Sequence, residues 1–291
     1  MISTVRAVAF ATALVAASAP LTSAQTSVTF PSNDGDLTDG RSTKLTGLLY
    51  QPSGGGRAPA IVLMHGCGGL YTSSGRLAAR HEDWARRFQG LGYVALLVDS
   101  FTPRGLSEIC TVKDRPLQPG RERVRDAYGA LLYLQGLGAV RGDRVGLMGW
   151  SHGGSTTVWT VATTASGRPP KLAHDFRAAV AFYPGCRPQL QSRTWTTRIP
   201  LDILIGAKDN WTPAPPCVDL AERARAQGDP VAIVTYPNAF HDFDAPNIPL
   251  RTRTGLATVP GGSATVGTDP DARADAIKRV PAFFARHLAG R

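Results

Sequence analysis

The segment that decides the fold reads Arg144-Val-Gly-Leu-Met-Gly-Trp-Ser-His-Gly-Gly154. An apolar run leads into Gly149-Trp-Ser-His-Gly153, and a stretch with helical periodicity follows it. This is the G-x-S-x-G pattern of a nucleophile elbow, a sharp turn between a strand and a helix. The turn lifts the serine hydroxyl above the strand end, beside helix N–H groups that favour developing negative charge. The pattern predicts Ser151 as a nucleophile.

Short apolar runs alternate with amphipathic stretches on both sides of this segment. Several of the runs are continuously apolar, which is typical of strands covered on both faces of a parallel sheet. The alternation predicts a doubly wound, mostly parallel sheet of about eight strands with helices on both faces. Together with the nucleophile elbow, this architecture indicates an α/β-hydrolase fold. The predicted strands are residues 45–50, 60–65, 93–99, 144–150, 178–183, 201–206 and 231–236. The predicted helices are residues 81–89, 121–135, 152–163, 216–226 and 271–288.

Two stretches rich in Gly, Ser and Pro, residues 52–56 and 260–267, interrupt this alternation. Such composition is typical of surface loops rather than of linkers between domains. We therefore expect a single domain over residues 25–291. The second stretch is long enough to predict a mobile flap near the site.

A serine hydroxyl needs a base, because it is a poor nucleophile at neutral pH. His241 lies just after the last predicted strand, where this fold places its histidine. The alternative is a surface histidine without a catalytic role. The chain has six histidines, and the remaining five fall on predicted helices, in a surface loop or beside other predicted site residues: His65, His81, His152, His174 and His287.

The acid that orients this histidine should follow a strand between Ser151 and His241. Asp209 meets this condition, since it lies just beyond the predicted strand 201–206. Asp202 begins the same strand and would lie at the wrong end of the sheet. Asp99 is the rival candidate, and we interpret it as structural.

An oxyanion hole needs two N–H donors aimed at the substrate oxygen. We expect one from the backbone of His152. The other should come from the loop His65-Gly-Cys-Gly-Gly69, where glycines allow a close backbone approach, and the backbone N–H of Cys67 is the candidate. The alternative is a plain tight turn.

The first 24 residues have the layout of a secretory signal peptide. Arg6 precedes an apolar run over residues 7–19, and small residues follow up to Ala24, after which we expect cleavage. The alternative is an uncleaved membrane anchor, for which the run is short. No later segment is apolar enough to span a bilayer. We therefore expect an exported protein, periplasmic or secreted, without stable membrane insertion.

The four cysteines, Cys67, Cys110, Cys186 and Cys217, fit an oxidising compartment. An even count there favours two disulfides, with three possible pairings, and four buried thiols are the alternative. Each cysteine stands alone, so no metal site is indicated.

The formal charge is +10, with 43% hydrophobic and 19% charged residues. Its basic residues are scattered and are almost all arginine, whereas a nucleic-acid binder usually clusters them. We expect no nucleic-acid partner, a general preference for anionic substrates or surfaces, and a monomer.

Together these segments resemble the dienelactone hydrolase family of α/β-hydrolases. The matching pieces are His65-Gly-Cys-Gly-Gly69, Asp99-Ser-Phe-Thr-Pro-Arg-Gly105, Gly149-Trp-Ser-His-Gly-Gly154, Tyr183-Pro-Gly-Cys186, Gly206-Ala-Lys-Asp-Asn-Trp-Thr-Pro213 and His241-Asp-Phe243. The resemblance implies hydrolysis of esters or lactones without a metal or organic cofactor. It also suggests the disulfides Cys67–Cys110 and Cys186–Cys217. The chain departs from the family's namesakes, which are cytoplasmic and carry a cysteine nucleophile, and this makes dienelactone itself a poor candidate substrate.

Substrate contacts should come from loops above the strand ends: Tyr71, Phe101, Arg104, Trp150 and Trp211. Arg104 could grip an acidic group of the substrate, or it could form a structural ion pair with Asp99 or Glu108.

The favoured function is hydrolysis of a small-molecule carboxylic ester through an acyl-enzyme. A peptidase or thioesterase with the same three residues is the first alternative, because leaving-group preference depends on pocket shape. A binding protein on a hydrolase scaffold that has lost its chemistry is the second.

Overall fold

The computed structural model describes Met1 and residues 25–289, so the predicted signal peptide lies outside the described residues apart from Met1. The described residues form ten strands: β1 (Gln25–Pro31), β2 (Lys44–Tyr50), β3 (Ala58–Met64), β4 (Val94–Asp99), β5 (Val140–Trp150), β6 (Ala178–Phe182), β7 (Leu201–Gly206), β8 (Val231–Tyr236), β9 (Arg251–Thr254) and β10 (Ser263–Val266). The same part of the chain contains six α-helices: α1 (Ala79–Gly90), α2 (Glu122–Gln135), α3 (His152–Thr160), α4 (Arg187–Gln191), α5 (Pro215–Ala226) and α6 (Pro270–Leu288). None of these helices is both long and apolar enough to cross a bilayer.

Eight strands form one sheet in the order β1-β2-β4-β3-β5-β6-β7-β8. Strand β2 runs antiparallel to both of its neighbours, and all pairs from β4 to β8 are parallel. This confirms the predicted α/β-hydrolase fold and all seven predicted strands. The five longer helices were predicted as well, within a few residues at their ends.

The strands at the centre of the sheet are continuously apolar because both of their faces are covered. Every residue of β4, β6 and β7 is buried, as are the last five of β3 and the last six of β5. The parallel strands end at the same edge of the sheet, and ligands in open α/β sheets bind at that edge. Loops that follow β3, β5, β6, β7 and β8 therefore meet there.

The prediction that residues 260–267 form a loop is wrong for residues 263–266. These residues are strand β10, which pairs antiparallel with β9 in a separate two-stranded sheet. Ala264 and Val266 are buried in a small apolar cluster that also contains Trp211 and Cys67. Burial of these alternate side chains stabilises the hairpin despite the flanking glycines. Strand β1, which forms the edge of the eight-stranded sheet beside β2, was not predicted either.

Candidate active site

Ser151 lies between the last residue of β5 and the first residue of α3. Its backbone has φ 52° and ψ −114°, a conformation that costs a non-glycine residue about 1–3 kcal/mol. The turn is held from both sides, because Ser151 N–H donates to Phe182 O at 2.9 Å and Ser151 O accepts from Ser155 N–H at 2.7 Å. The strained turn leaves the Ser151 side chain at the carboxyl edge of the sheet.

Glycines make this turn possible through close approach. A Cβ atom on Gly149 would collide with the carbonyl oxygen of Gly153, and one on Gly153 would collide with that of Met64. Helix α3 can therefore begin directly above the ends of β3 and β5. The G-x-S-x-G spacing is thus a packing requirement at both of its glycines.

His241 and Asp209 are joined at the same edge. The Nδ1 atom of His241 lies 2.7 Å from Oδ2 of Asp209, and both side chains are buried. Asp209 Oδ1 accepts the backbone N–H groups of Trp211 and Thr212 at 2.9 and 2.8 Å, and the Thr212 hydroxyl donates to Oδ2 at 3.0 Å. Because Nδ1 faces the carboxylate, it carries the proton, and Nε2 is left as the acceptor.

Aromatic rings hold the imidazole of His241 in place. Its centroid lies 4.4 Å from the ring of Tyr183 and 4.7 Å from that of Trp211. Trp211 lines one cavity together with Ser151, and both His241 and Asp209 contact Trp211, so the His241–Asp209 pair lies beside the cavity of Ser151. Ser151 and His241 form no direct hydrogen bond in the described part of the chain, and in such sites this contact often tightens only with substrate bound.

The loop after β3 lies directly beside Ser151. A Cβ atom added to Gly66 would lie 3.5 Å from Cβ of Ser151. Cys67 and His152 both line the cavity, and neither backbone N–H donates to another described residue. They are therefore free to receive an oxygen atom of a substrate.

Both disulfides suggested by the family resemblance are formed, Cys67–Cys110 and Cys186–Cys217. The first links the loop after β3 to the long loop between β4 and α2. Ile109 N–H also donates to Cys67 O at 2.8 Å. The disulfide and this hydrogen bond together tie the Cys67 loop down.

The cavity at Ser151 has a volume of about 440 Å³. Two cationic side chains, Lys113 and Arg115, line it together with Trp159 and Trp211, and no acidic side chain among the described residues does so. Arg115 is anchored by a hydrogen bond from Nε to Ile109 O at 2.8 Å. The cavity is therefore electropositive. Lys113 and Arg115 were not predicted, and their irregular loop carries no motif that would have marked them.

Of the five predicted substrate contacts, only Trp211 borders this cavity. Tyr71 lies in a separate depression with Leu70 and Thr102. Trp150 and Phe101 are fully buried. These side chains follow strand ends as expected, but they point into the core or toward another surface.

Arg104 does not border the cavity either, so it is not placed to contact a substrate, and its ion-pair partners are not the expected ones. Its guanidinium makes two hydrogen bonds to the Asp126 carboxylate, at 2.9 and 2.8 Å, and one to Asp34 at 3.0 Å. The ion pair is structural, as one alternative held, but it joins neither Asp99 nor Glu108. Asp99 instead accepts the backbone N–H groups of Phe101 and Thr102, both at 3.0 Å, so it has a structural role.

An ion pair beneath His241 was also missed. Arg80 on α1 forms a close ion pair with Asp242, and its Nη1 donates to the Tyr183 hydroxyl at 2.8 Å. Burial alone would raise the pKa of Asp242, but the charge of Arg80 outweighs this effect and lowers the pKa to about 2. The residue after His241 is therefore ionised and held. The sequence signal was the run of acidic residues that follows His241, but its partner on α1 could not be inferred.

The fold and the grouping of Ser151, His241 and Asp209 at the carboxyl edge define the class of this protein, an α/β-hydrolase. Residues 45–288 match the family model described as "Dienelactone hydrolase family". The chain belongs to the dienelactone hydrolase family, and it is a carboxylic ester hydrolase.

Individual relatives agree with this assignment. The chain is 26% identical over 210 residues to a Bradyrhizobium protein described as a probable 2-oxo-3-(5-oxofuran-2-ylidene)propanoate lactonase, covering 67% of this chain and 77% of the relative. Among solved structures, a dienelactone hydrolase-like promiscuous phosphotriesterase from metagenomic libraries is 20% identical, with a TM-score of 0.64 and coverage of 91% of this chain and 100% of the other. Esterase 2 of Thermogutta terrifontis, phosphorylated by paraoxon, is 20% identical with a TM-score of 0.59, covering 87% and 93%. At these identities the two structures show a shared fold.

Proposed function

We propose that this protein hydrolyses small anionic esters or lactones through an acyl-enzyme on Ser151, with His241 as the base and Asp209 as its orienting acid. The observation that carries the proposal is the 2.7 Å contact between His241 and Asp209 at the rim where the strained Ser151 turn ends. This contact leaves Nε2 as the proton acceptor of the imidazole, as a general base requires.

In the first half-reaction the Ser151 Oγ attacks the ester carbonyl while its proton moves to Nε2 of His241. The carbonyl oxygen becomes an oxyanion, which the N–H groups of Cys67 and His152 receive. The C–O bond to the leaving alcohol then breaks, and the alcohol takes the proton from the imidazolium. In the second half-reaction, water attacks the acyl-enzyme carbonyl while His241 takes its proton. The bond to Ser151 Oγ then breaks, the acid leaves, and Ser151 regains its proton from His241.

The preference for a negative charge rests on the cavity. Lys113 and Arg115 line a cavity that no carboxylate of residues 25–289 borders, and the volume of the cavity suits a small substrate. The Bradyrhizobium relative is described as a lactonase of a propanoate, which also bears a carboxylate. A lactone keeps its leaving alcohol tethered in the acyl-enzyme, and nothing else in the steps above changes.

We also propose that the protein acts after export. Two disulfides favour an oxidising compartment. The signal-peptide pattern of residues 1–24 supports the same destination, in the periplasm or outside the cell.

Turnover of a 4-nitrophenyl ester by the purified protein tests the catalytic proposal, with Ser151→Ala and the exposed Ser73→Ala as a matched pair. We expect Ser151→Ala to lose turnover and Ser73→Ala to keep it. Labelling by a fluorophosphonate, followed by peptide mass spectrometry, should place the adduct on Ser151. Equal turnover by wild type and Ser151→Ala, or an adduct elsewhere, contradicts the proposal.

A panel of peptides and thioesters separates this proposal from the alternatives. Faster cleavage of peptide amides than of esters would favour a peptidase. Absence of turnover and of labelling would favour a binding protein.

A further inference from the structure

Arg123, in the first turn of α2, is a fully buried cation that forms no ion pair within the described residues. The nearby carboxylate of Asp126 is occupied, since it accepts from Arg104 and from the Ser32 hydroxyl. The Nε and Nη2 atoms of Arg123 are buried and have no hydrogen-bond partner in the described chain. Burying an unpaired charge is costly, so the fold retains this guanidinium against a penalty.

A single nitrogen of Arg123 contacts both sides of the proposed oxyanion hole. Nη1 lies 2.7 Å from the carbonyl oxygen of His65, where the loop that carries Cys67 begins. The same Nη1 lies 3.0 Å from Nδ1 of His152, the residue that follows Ser151. Arg123 therefore links the two segments that contribute Cys67 and His152 to the cavity lining.

The guanidinium is fully buried and packs against an aromatic ring. Its Cζ lies 5.2 Å from the ring centroid of Phe101, whose edge packs against His65 at 4.4 Å. A charge acts over a longer distance where water is excluded, because the local dielectric constant is low.

The positive charge of this cluster resides on Arg123. Burial, together with the charge of Arg123, holds the pKa values of His65 and His152 well below their usual range, so both imidazoles are neutral. Burial lowers the pKa of Arg123 to about 10, which still leaves it protonated at neutral pH.

We propose that Arg123 is a positioning residue of the oxyanion hole. It fixes the distance between the Cys67 and His152 N–H groups. Its buried positive charge stabilises the negative charge that forms on the carbonyl oxygen. The inference rests on the proposed function, because it concerns the oxyanion of that reaction. The charge matters only once the oxyanion has formed, so its loss should lower kcat and leave KM nearly unchanged.

Two neutral variants test the proposal, Arg123→Met and Arg123→Gln. Arg123→Met removes the cost of burying an unpaired charge, which offsets the lost hydrogen bonds, so we expect this variant to keep its Tm. We expect kcat for a 4-nitrophenyl ester to fall by about 100-fold in both variants, with KM within about threefold of wild type. Arg123→Lys, which keeps the charge, should retain more activity than either.

The inhibition constant of a boronic acid is a second measurement, and it should not change if the role of Arg123 is purely structural. The boronic acid forms a tetrahedral anion on the nucleophilic serine, so its inhibition constant should rise by about the same factor as kcat falls. Arg223→Gln is the matched control. Arg223 donates to three backbone carbonyls, of Gln189, Leu190 and Ser192, far from this cluster along the chain. Its loss should leave both the kcat and the inhibition constant near the wild-type values.

Folded neutral variants with kcat and boronate affinity within threefold of wild type would overturn the inference. So would a kcat loss with unchanged boronate affinity. Failure of all three Arg123 variants to fold would assign the residue a structural role instead. An inactive, unlabelled wild type would contradict the proposed function itself, whereas an active wild type with an unaffected Arg123→Met would contradict only this inference.

Discussion

The indole N–H of Trp150, the residue before Ser151, donates to the carboxylate of Asp244 at 2.8 Å, three residues beyond His241. Asp244 is fully buried and also accepts from the Trp84 indole at 2.8 Å and the Tyr183 hydroxyl at 2.6 Å. Burial raises its pKa, against the opposing effects of the Arg80 charge and of these three donors. One carboxyl group therefore connects the nucleophile turn, the base loop and helix α1.

Removing this carboxyl group should destabilise the protein and loosen the site. Asp244→Ala leaves three buried donors without an acceptor, and each unsatisfied group costs about 1–3 kcal/mol. We expect the free energy of unfolding in urea to fall by about 3 kcal/mol or more, with a lower kcat. Asp219→Asn on the exposed side of α5 is the control and should change neither. A loss below about 1 kcal/mol for Asp244→Ala would show that the network contributes little.

The two disulfides should differ in their effect on activity. Each closes a long loop, so removing either should destabilise the protein by about 2–4 kcal/mol. Of the two disulfides, only Cys67–Cys110 contains a cysteine that lines the cavity. We expect kcat to fall much more in Cys67→Ala/Cys110→Ala than in Cys186→Ala/Cys217→Ala, with both variants measured as folded protein at 25 °C. Equal kcat losses in the two double variants would argue against a role of the first disulfide in the site.

Asp202, at the start of β7, should make stability fall as pH rises. Burial raises the pKa of Asp202 to about 6, and its Oδ1 has no hydrogen-bond partner among the described residues. An exposed aspartate titrates near 4, so the folded state holds the proton more tightly than the unfolded state does. The free energy of unfolding therefore decreases between about pH 4 and pH 6 by up to about 3 kcal/mol and stays low above that range.

The variant Asp202→Asn should remove this pH dependence. We expect it to unfold at a higher Tm than wild type at pH 7 and at a similar Tm at pH 4, by calorimetry at both pH values. The exposed Asp219→Asn variant should show no such difference. A Tm gain for Asp202→Asn that is equal at both pH values would mean that titration of Asp202 is not the cause.

The electropositive cavity should select substrates by charge. We expect the half-ester 4-nitrophenyl succinate to be hydrolysed with a higher kcat/KM than 4-nitrophenyl butyrate, and added salt to reduce the difference. Arg115→Gln should lower kcat/KM for the anionic ester by about tenfold, equivalent to about 1.4 kcal/mol, and spare the neutral one. Arg86→Gln, whose side chain is 55% exposed on α1, is the control. An equal loss for both esters in Arg115→Gln would assign Arg115 a purely structural role.

Local sequence pattern was sufficient to predict much of the sheet and three members of the candidate site. Apolar runs of strand length, separated by helical periodicity, define parallel βα units whose strand ends must meet at one edge. That edge constrains Ser151, Asp209 and His241 together, because each follows a strand. The hairpin β9–β10 escaped prediction since its stability comes from Ala264 and Val266 packing against distant residues.

By itself the sequence determined the order of seven strands and of the five longer helices, the serine turn and the sheet edge where its partners belong, since these depend on periodicity and on neighbours in the chain. Only the tertiary structure decided which side chains reach the cavity and which support it. Trp150 and Asp244 are 94 residues apart, and Arg123 and His65 are 58 apart. Buried polar groups form hydrogen bonds with whatever partners the tertiary packing places beside them, and a local sequence pattern does not predict such distant contacts. Long-range packing also decides that Arg104 forms ion pairs with Asp34 and Asp126, whereas Lys113 and Arg115 border the cavity.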